Sequence, residues 1–142
     1  MATLFTKIID GEIPGRFVWS DDVCVAFLTI EPLTDGHAMV VPRAELEQWT
    51  DADEQTWAHL QRVARIVAQA QQEEWAAPRI GMLLEGFLVP HLHVHVWPAF
   101  SADDFDPHAP MQDVPAERFD EAARRLRERL VAEGHGAHVP DA

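Results

Sequence analysis

The chain has 142 residues, 47% of them apolar, which is enough for one domain with a real core. Its formal charge of −13 and pI near 4.8 repel polyanions, which argues against a nucleic acid polymer or an anionic membrane as partner. A small anionic ligand needs a pocket with its own donors. No apolar run reaches the roughly 18 residues of a membrane span, and Met1–Lys7 lacks a basic-then-apolar leader, so a cytoplasmic location is expected. The single cysteine, Cys24, lies in the apolar run Cys24–Leu28 and reads as a buried small hydrophobe.

The segment Leu4–Gly11 reads as a short helix or turn stopped by Gly11, and Pro14-Gly15 as a turn. Arg16–Trp19 is a candidate strand, joined through the turn Ser20-Asp21-Asp22 to a second strand, Cys24–Ile30. After the loop Glu31–Gly36 comes a third strand, His37–Val41, ended by Pro42. Asp51 and Glu54 have capping-box spacing, and Trp57, Leu60, Ala64 and Val67 form one apolar stripe of a helix from about Asp51 to Trp75. Ile80–Leu84 is a fourth strand and His91–Pro98 a fifth. Ser101–Pro110 reads as a loop. Pro115 opens a final helix with Phe119, Ala122, Leu126 and Leu130 on one face, Gly134 ends it, and the tail to Ala142 is expected to be loose. The first three strands follow too closely for crossover helices. The expectation is therefore an α+β, two-layer domain spanning 1–142, with a mainly antiparallel five-stranded sheet, one long helix and a C-terminal helix, and its core in about residues 3–100.

The fifth strand carries the chemistry. Side chains alternate along a strand, so His91, His93 and His95 share one face, and Leu92, Val94 and Val96 the other. A solvated face would more commonly use Lys, Thr or Glu. A metal pair with a distant third ligand is open, although the outer two rings lie about 13 Å apart along an ideal strand, too far to converge on one ion. A phosphoryl group uses all three positions: one imidazole attacks phosphorus while a neighbour donates to an oxygen or to the leaving group, and both tasks suit a pKa near neutrality.

His91-Leu92-His93-Val94-His95-Val96-Trp97 resembles the signature of the histidine-triad (HIT) superfamily. The N-terminal segment Phe5–Pro14, the hairpin Asp21–Phe27 and the strand Pro32–Pro42, with its Gly36-His37 pair, resemble that family in the same order. The resemblance implies that His93 is the nucleophile and forms a nucleotidyl-histidine. It further implies that His95 assists at the phosphate and leaving group, that His91 orients its neighbours, and that His37 supports the triad. It implies a purine nucleotide substrate, most closely an adenosine phosphoramidate, with a diadenosine polyphosphate, or nucleotide binding with little catalysis, as alternatives. A homodimer joined through the sheets and long helices is implied, with Trp49, Trp75 and Trp97 as contact candidates. No cofactor is expected.

By the same resemblance, Leu4, Phe5, Ile8, Phe27, Leu28 and Ile30 line a nucleoside pocket, with Phe87 and Val89 ahead of the triad. Three positions depart from the family pattern. Thr29 stands where many members carry an acidic or amide residue on the ribose. Gly86-Phe87-Leu88-Val89 replaces a Gly-Gln-Ser/Thr stretch that helps the leaving group. Thr3 and Thr6 stand where some bacterial members carry zinc-binding cysteines, so no metal is expected at that position.

Overall fold

The computed structural model describes residues 2–141; Met1 and the last residue of the tail, Ala142, lie outside the described residues. In chain order the elements are α1 (Leu4–Ile9), β1 (Phe17–Ser20), β2 (Cys24–Leu28), β3 (Ala38–Pro42), α2 (Glu54–Trp75), β4 (Arg79–Leu83), β5 (Val94–Ala99) and α3 (Ala116–Leu130). The five strands form one sheet in the order β1-β2-β3-β5-β4, and every pairing is antiparallel. The fold is α+β, as the strand spacing requires. No described helix is long and apolar enough to cross a membrane.

Alternation along the strands divides the interior in two. Ala26, Leu28, Val40, Val94 and Val96 face α2 and α3, where Leu60, Val63, Ala64, Val67, Leu126 and Leu130 bury against them. Burial of one such Val or Leu contributes about 1.5–3 kcal/mol, so this layer dominates the stability of the fold. On the opposite face, Val25, Phe27, Met39 and Val41 pack with Phe5 and Ile8 of α1. The short α1 covers that face together with Ile13, Phe17 and Val89, and a cavity opens between them.

Several boundaries differ from the sequence expectation, each for a local reason. The fifth strand begins at Val94 rather than His91, because β3 ends in Pro42, which has no N–H to continue the ladder past the pair Val40↔Val94. His91 and Leu92 turn instead toward the neighbouring loop, where the Leu92 N–H donates to the Leu46 carbonyl at 2.6 Å. The second strand stops at Leu28: the Thr29 hydroxyl accepts the Glu31 N–H at 3.1 Å and bends the chain, leaving Ile30 exposed. The long helix is capped by Asp53, whose carboxylate accepts the Thr56 N–H at 2.7 Å, while Asp51 closes a separate turn of 3-10 helix. The loop after β5 contains a one-turn 3-10 helix, Ala102–Phe105, with a Ser101/Asp104 capping box.

The tail is docked rather than loose. After a kink at Gly134 (φ +92°), His138 stacks on Trp19 with ring centroids 4.9 Å apart, and Val139 packs against the core. The tryptophans also serve the chain's own packing. Trp75 covers Gly36, Trp97 is 2% exposed and covers Gly81, and Trp49 tilts against Trp57.

Candidate active site

A cavity of about 420 Å³ opens on the α1 side of the sheet, within the size range of small-molecule sites. Its lining brings together His37, His93 and His95 with Leu4, Phe5, Ile8, Phe27, Leu28, Thr29, Ile30 and Val89. Two of the expected site residues do not line it. His91 is fully buried behind the cavity wall. Phe87 is 89% exposed and does not line the cavity, whereas Leu88, itself 87% exposed, meets its edge beside Gly86.

The hydrogen bonds assign a tautomer to every ring of the cluster. His91 donates from Nε2 to the Pro42 carbonyl at 2.7 Å, so its Nδ1 accepts the Thr3 hydroxyl at 2.6 Å. Thr3 is one of the two threonines at the cysteine positions noted above. It also caps α1, and the Thr6 hydroxyl beside it donates to Glu45 at 2.6 Å. A threonine network therefore fixes His91. The His91 carbonyl in turn accepts Nδ1–H of His93 at 2.7 Å, which leaves the His93 Nε2 lone pair free. Phe5 holds the His93 ring edge-on, with centroids 4.8 Å apart.

A second relay sets His95. The Leu33 N–H donates to His37 Nδ1 at 3.0 Å, so the proton of His37 sits on Nε2 and is donated to His95 Nδ1 at 2.9 Å. His95 therefore carries its own proton on Nε2. The His93 and His95 rings are neighbours, 4.9 Å between centroids. Chemically the pair offers one nitrogen lone pair and one N–H donor side by side on a rigid support.

Burial keeps these rings neutral. It pushes His37 down to about 3, helped by nearby His95, and His95 down to about 4, helped by His93; burial also lowers His93. The consequence for stability has a definite sign. The unfolded chain binds protons on His37 and His95 near pH 6.5 and the folded chain does not, so their contribution is whole above that value and shrinks as pH falls toward 4. Urea denaturation is expected to show a loss of about 2 kcal/mol between pH 7 and 5.5 from His37 and His95 together. A flat or rising stability over that range contradicts neutral buried rings.

Other lining residues carried no signal in their local sequence. Glu31 and Glu85 line the cavity, and Pro107 reaches it from the loop after β5. Arg16 is the one lining cation among the described residues, and its Nε is already engaged by Asp120 at 2.8 Å. Trp97 lies behind His37, 5.2 Å between ring centroids, and supports the relay from beneath.

This architecture, with a histidine cluster at the start of β5 facing a cavity walled by α1, is a histidine-triad fold. The HIT domain model matches residues 10–102. An uncharacterized HIT-like protein of Borreliella burgdorferi is 32% identical over 109 residues, covering 72% of this chain and 78% of that protein. The Bacillus subtilis protein hit is 32% identical over 107 residues, covering 71% and 73%. Among solved structures, a hypothetical histidine triad nucleotide-binding protein of Sulfolobus tokodaii superposes with a TM-score of 0.80 at 29% identity, over 90% of this chain and 91% of that one. A zinc-bound histidine triad family protein of Mycobacterium smegmatis gives 0.80 at 25% identity, over 96% and 98%. The chain belongs to the HIT family.

Proposed function

We propose that this protein is a purine nucleotide hydrolase or transferase in which His93 Nε2 attacks the α-phosphate of an adenosine phosphoramidate. The observation that carries the reading is the pair of opposite tautomers on adjacent rings: His93 presents a lone pair and His95 a proton. Attack forms the Nε2–P bond and breaks the P–N bond, and the amine departs with the electron pair. The His95 Nε2–H hydrogen-bonds the departing nitrogen and gives it its proton, so a neutral amine leaves; the incoming water later returns a proton to His95 Nε2. Water or another acceptor then attacks phosphorus and frees His93. The purine lies between Phe5, Ile8 and Phe27, whose apolar faces suit a flat base. The Thr29 hydroxyl offers the ribose a single hydrogen bond. The same reading expects a homodimer joined through the sheet edges and the long helices, α2 presenting Trp57, Gln61 and Gln69 along a shallow depression.

Charge separates this substrate class from a diadenosine polyphosphate. A polyphosphate brings several negative charges, and the lining opposes them with Glu31 and Glu85 while its one cation is already paired. An amine leaving group suits Glu85. Turnover of a lysine-linked adenosine phosphoramidate is expected to exceed that of a diadenosine polyphosphate by about tenfold or more, which corresponds to about 1.4 kcal/mol. Glu85→Lys is expected to narrow the ratio by raising the polyphosphate rate. A polyphosphate preference that Glu85→Lys leaves unchanged contradicts the assignment. The second reading, binding with little catalysis, draws on Leu88, which puts no side-chain donor at the leaving-group end. Measurable binding of adenosine monophosphate with no turnover across both substrate classes would favour it.

A further inference from the structure

Away from the triad, three side chains of different ligand chemistry converge between the β1–β2 turn and α2. Asp21 sits in the turn, Cys24 opens β2, and His59 projects from α2. One ligating atom from each lies within 4.8 Å of the other two. His59 Nε2 is 2.8 Å from Asp21 Oδ2, and Cys24 Sγ is 3.7 Å from the same oxygen. Tetrahedral zinc, with bonds of about 2.0–2.3 Å, holds its ligand atoms roughly 3.3–3.6 Å apart. The sulfur and oxygen already meet that spacing closely. The imidazole needs to withdraw by about half an ångström, and with its side chain 29% exposed it has the room.

The carboxylate is prepared as a ligand. Asp21 Oδ1 accepts the N–H groups of Val23 at 2.8 Å and Cys24 at 2.9 Å, and Oδ2 accepts Trp19 Nε1–H at 2.8 Å. Such outer partners orient metal-binding carboxylates and hold them ionised. Cys24 is fully buried, and its thiol has that carboxylate as its hydrogen-bond partner. A thiol beside an anion resists ionisation on its own, and a cation between them turns the conflict into coordination. The Arg43 guanidinium, bonded to the Asp21 carbonyl at 2.8 Å, opposes a cation, whereas the net charge of −13 favours one. The exposed edge of His59 gives an entry path and a place for water as a fourth ligand.

We propose that Asp21, Cys24 and His59 bind a thiophilic divalent cation of the zinc class, at a site separate from the His37/His93/His95 cavity. Binding releases the thiol proton of Cys24, and the His59 Nε2–H that now bonds Asp21 Oδ2 gives up its proton, with Nδ1 carrying the ring's remaining N–H while Nε2 ligates the ion. The thiolate and imidazole select zinc-like ions over magnesium or calcium. The bound ion staples the turn before β2 to α2. Trp19, which bonds Asp21 and carries His138 on its face, couples that staple to the docked tail.

The test is a titration of untagged protein with cobalt(II), followed by displacement with zinc. The expected result is one cobalt per chain, with a thiolate-to-metal charge-transfer band in the near ultraviolet. That band is lost in Cys24→Ala and kept in His93→Ala. In His59→Gln, a change at a partly exposed helical position that does not threaten folding, affinity falls by at least about tenfold. Zinc raises the melting temperature of the wild type and not of His59→Gln. Saturation without a charge-transfer band overturns the proposal. So does metal binding that survives both Cys24→Ala and His59→Gln and disappears in His93→Ala.

Discussion

His93→Ala is expected to lower kcat/KM on adenosine phosphoramidates by at least about 10⁴-fold, or about 5.5 kcal/mol of transition-state stabilisation. The imidazole forms the new bond to phosphorus in the proposed reaction, and no other ring in the cluster has an uncommitted lone pair to replace it. His37 Nδ1 is taken by Leu33, His91 Nδ1 by Thr3, and His95 Nδ1 by His37. The fold is expected to survive, because the side chain lines a cavity that water can enter and its one hydrogen bond goes to the His91 carbonyl. Binding of adenosine monophosphate is expected to stay within a few-fold of wild type, since the apolar base wall is untouched. Calorimetric titration beside steady-state kinetics separates the two effects. Loss of binding in step with turnover would mean that His93 holds the nucleotide rather than attacks it.

The largest stability effect is expected one residue before the second relay. Gly36 has φ +86°, and a Cβ added there would lie 2.6 Å from the Trp75 indole. Gly36→Ala therefore combines left-handed strain with an overfilled contact, for about 2–4 kcal/mol in total. Two further features depend on this position. The Gly36 carbonyl accepts the buried Gln71 amide at 2.8 Å, and the next residue, His37, sets the tautomer of His95. Gly11→Ala is the control. Gly11 has φ +83°, but a Cβ added there would meet nothing within 4 Å, so strain alone applies and the cost is expected near 1 kcal/mol. Urea denaturation of the two variants distinguishes the contributions. Equal losses would mean that the Trp75 contact is unimportant.

The layers of the fold were legible where periodicity is strong. Leu60, Ala64 and Val67 repeat at helical spacing and all bury against the sheet, and His93 and His95 alternate with Val94 and Val96 onto opposite faces. Local competition was less legible. Asp51 and Asp53 both offer a cap, and only the real backbone geometry selects Asp53. The strand pattern runs back to His91, yet Pro42 on the neighbouring strand ends the ladder, an effect no single segment reveals. At the site, Phe87 and Leu88 read as two equivalent apolar residues, and only the folded loop shows that Leu88 and not Phe87 touches the cavity. The tail gave no periodic signal, because its docking rests on single contacts of His138 and Val139. The convergence of Asp21, Cys24 and His59 was equally invisible, since His59 comes from a helix far along the chain from the β1–β2 turn.

The most direct test of the central claim is to trap the intermediate. Protein is mixed with an adenosine phosphoramidate, quenched within the first turnover, and mapped by peptide mass spectrometry under conditions that preserve phosphorus–nitrogen bonds. An adenylyl group on the peptide containing His93, located on that ring and absent from His93→Ala, is the result expected. Adenylation at another histidine, or turnover by direct attack of water with no covalent species at any time point, would contradict the account.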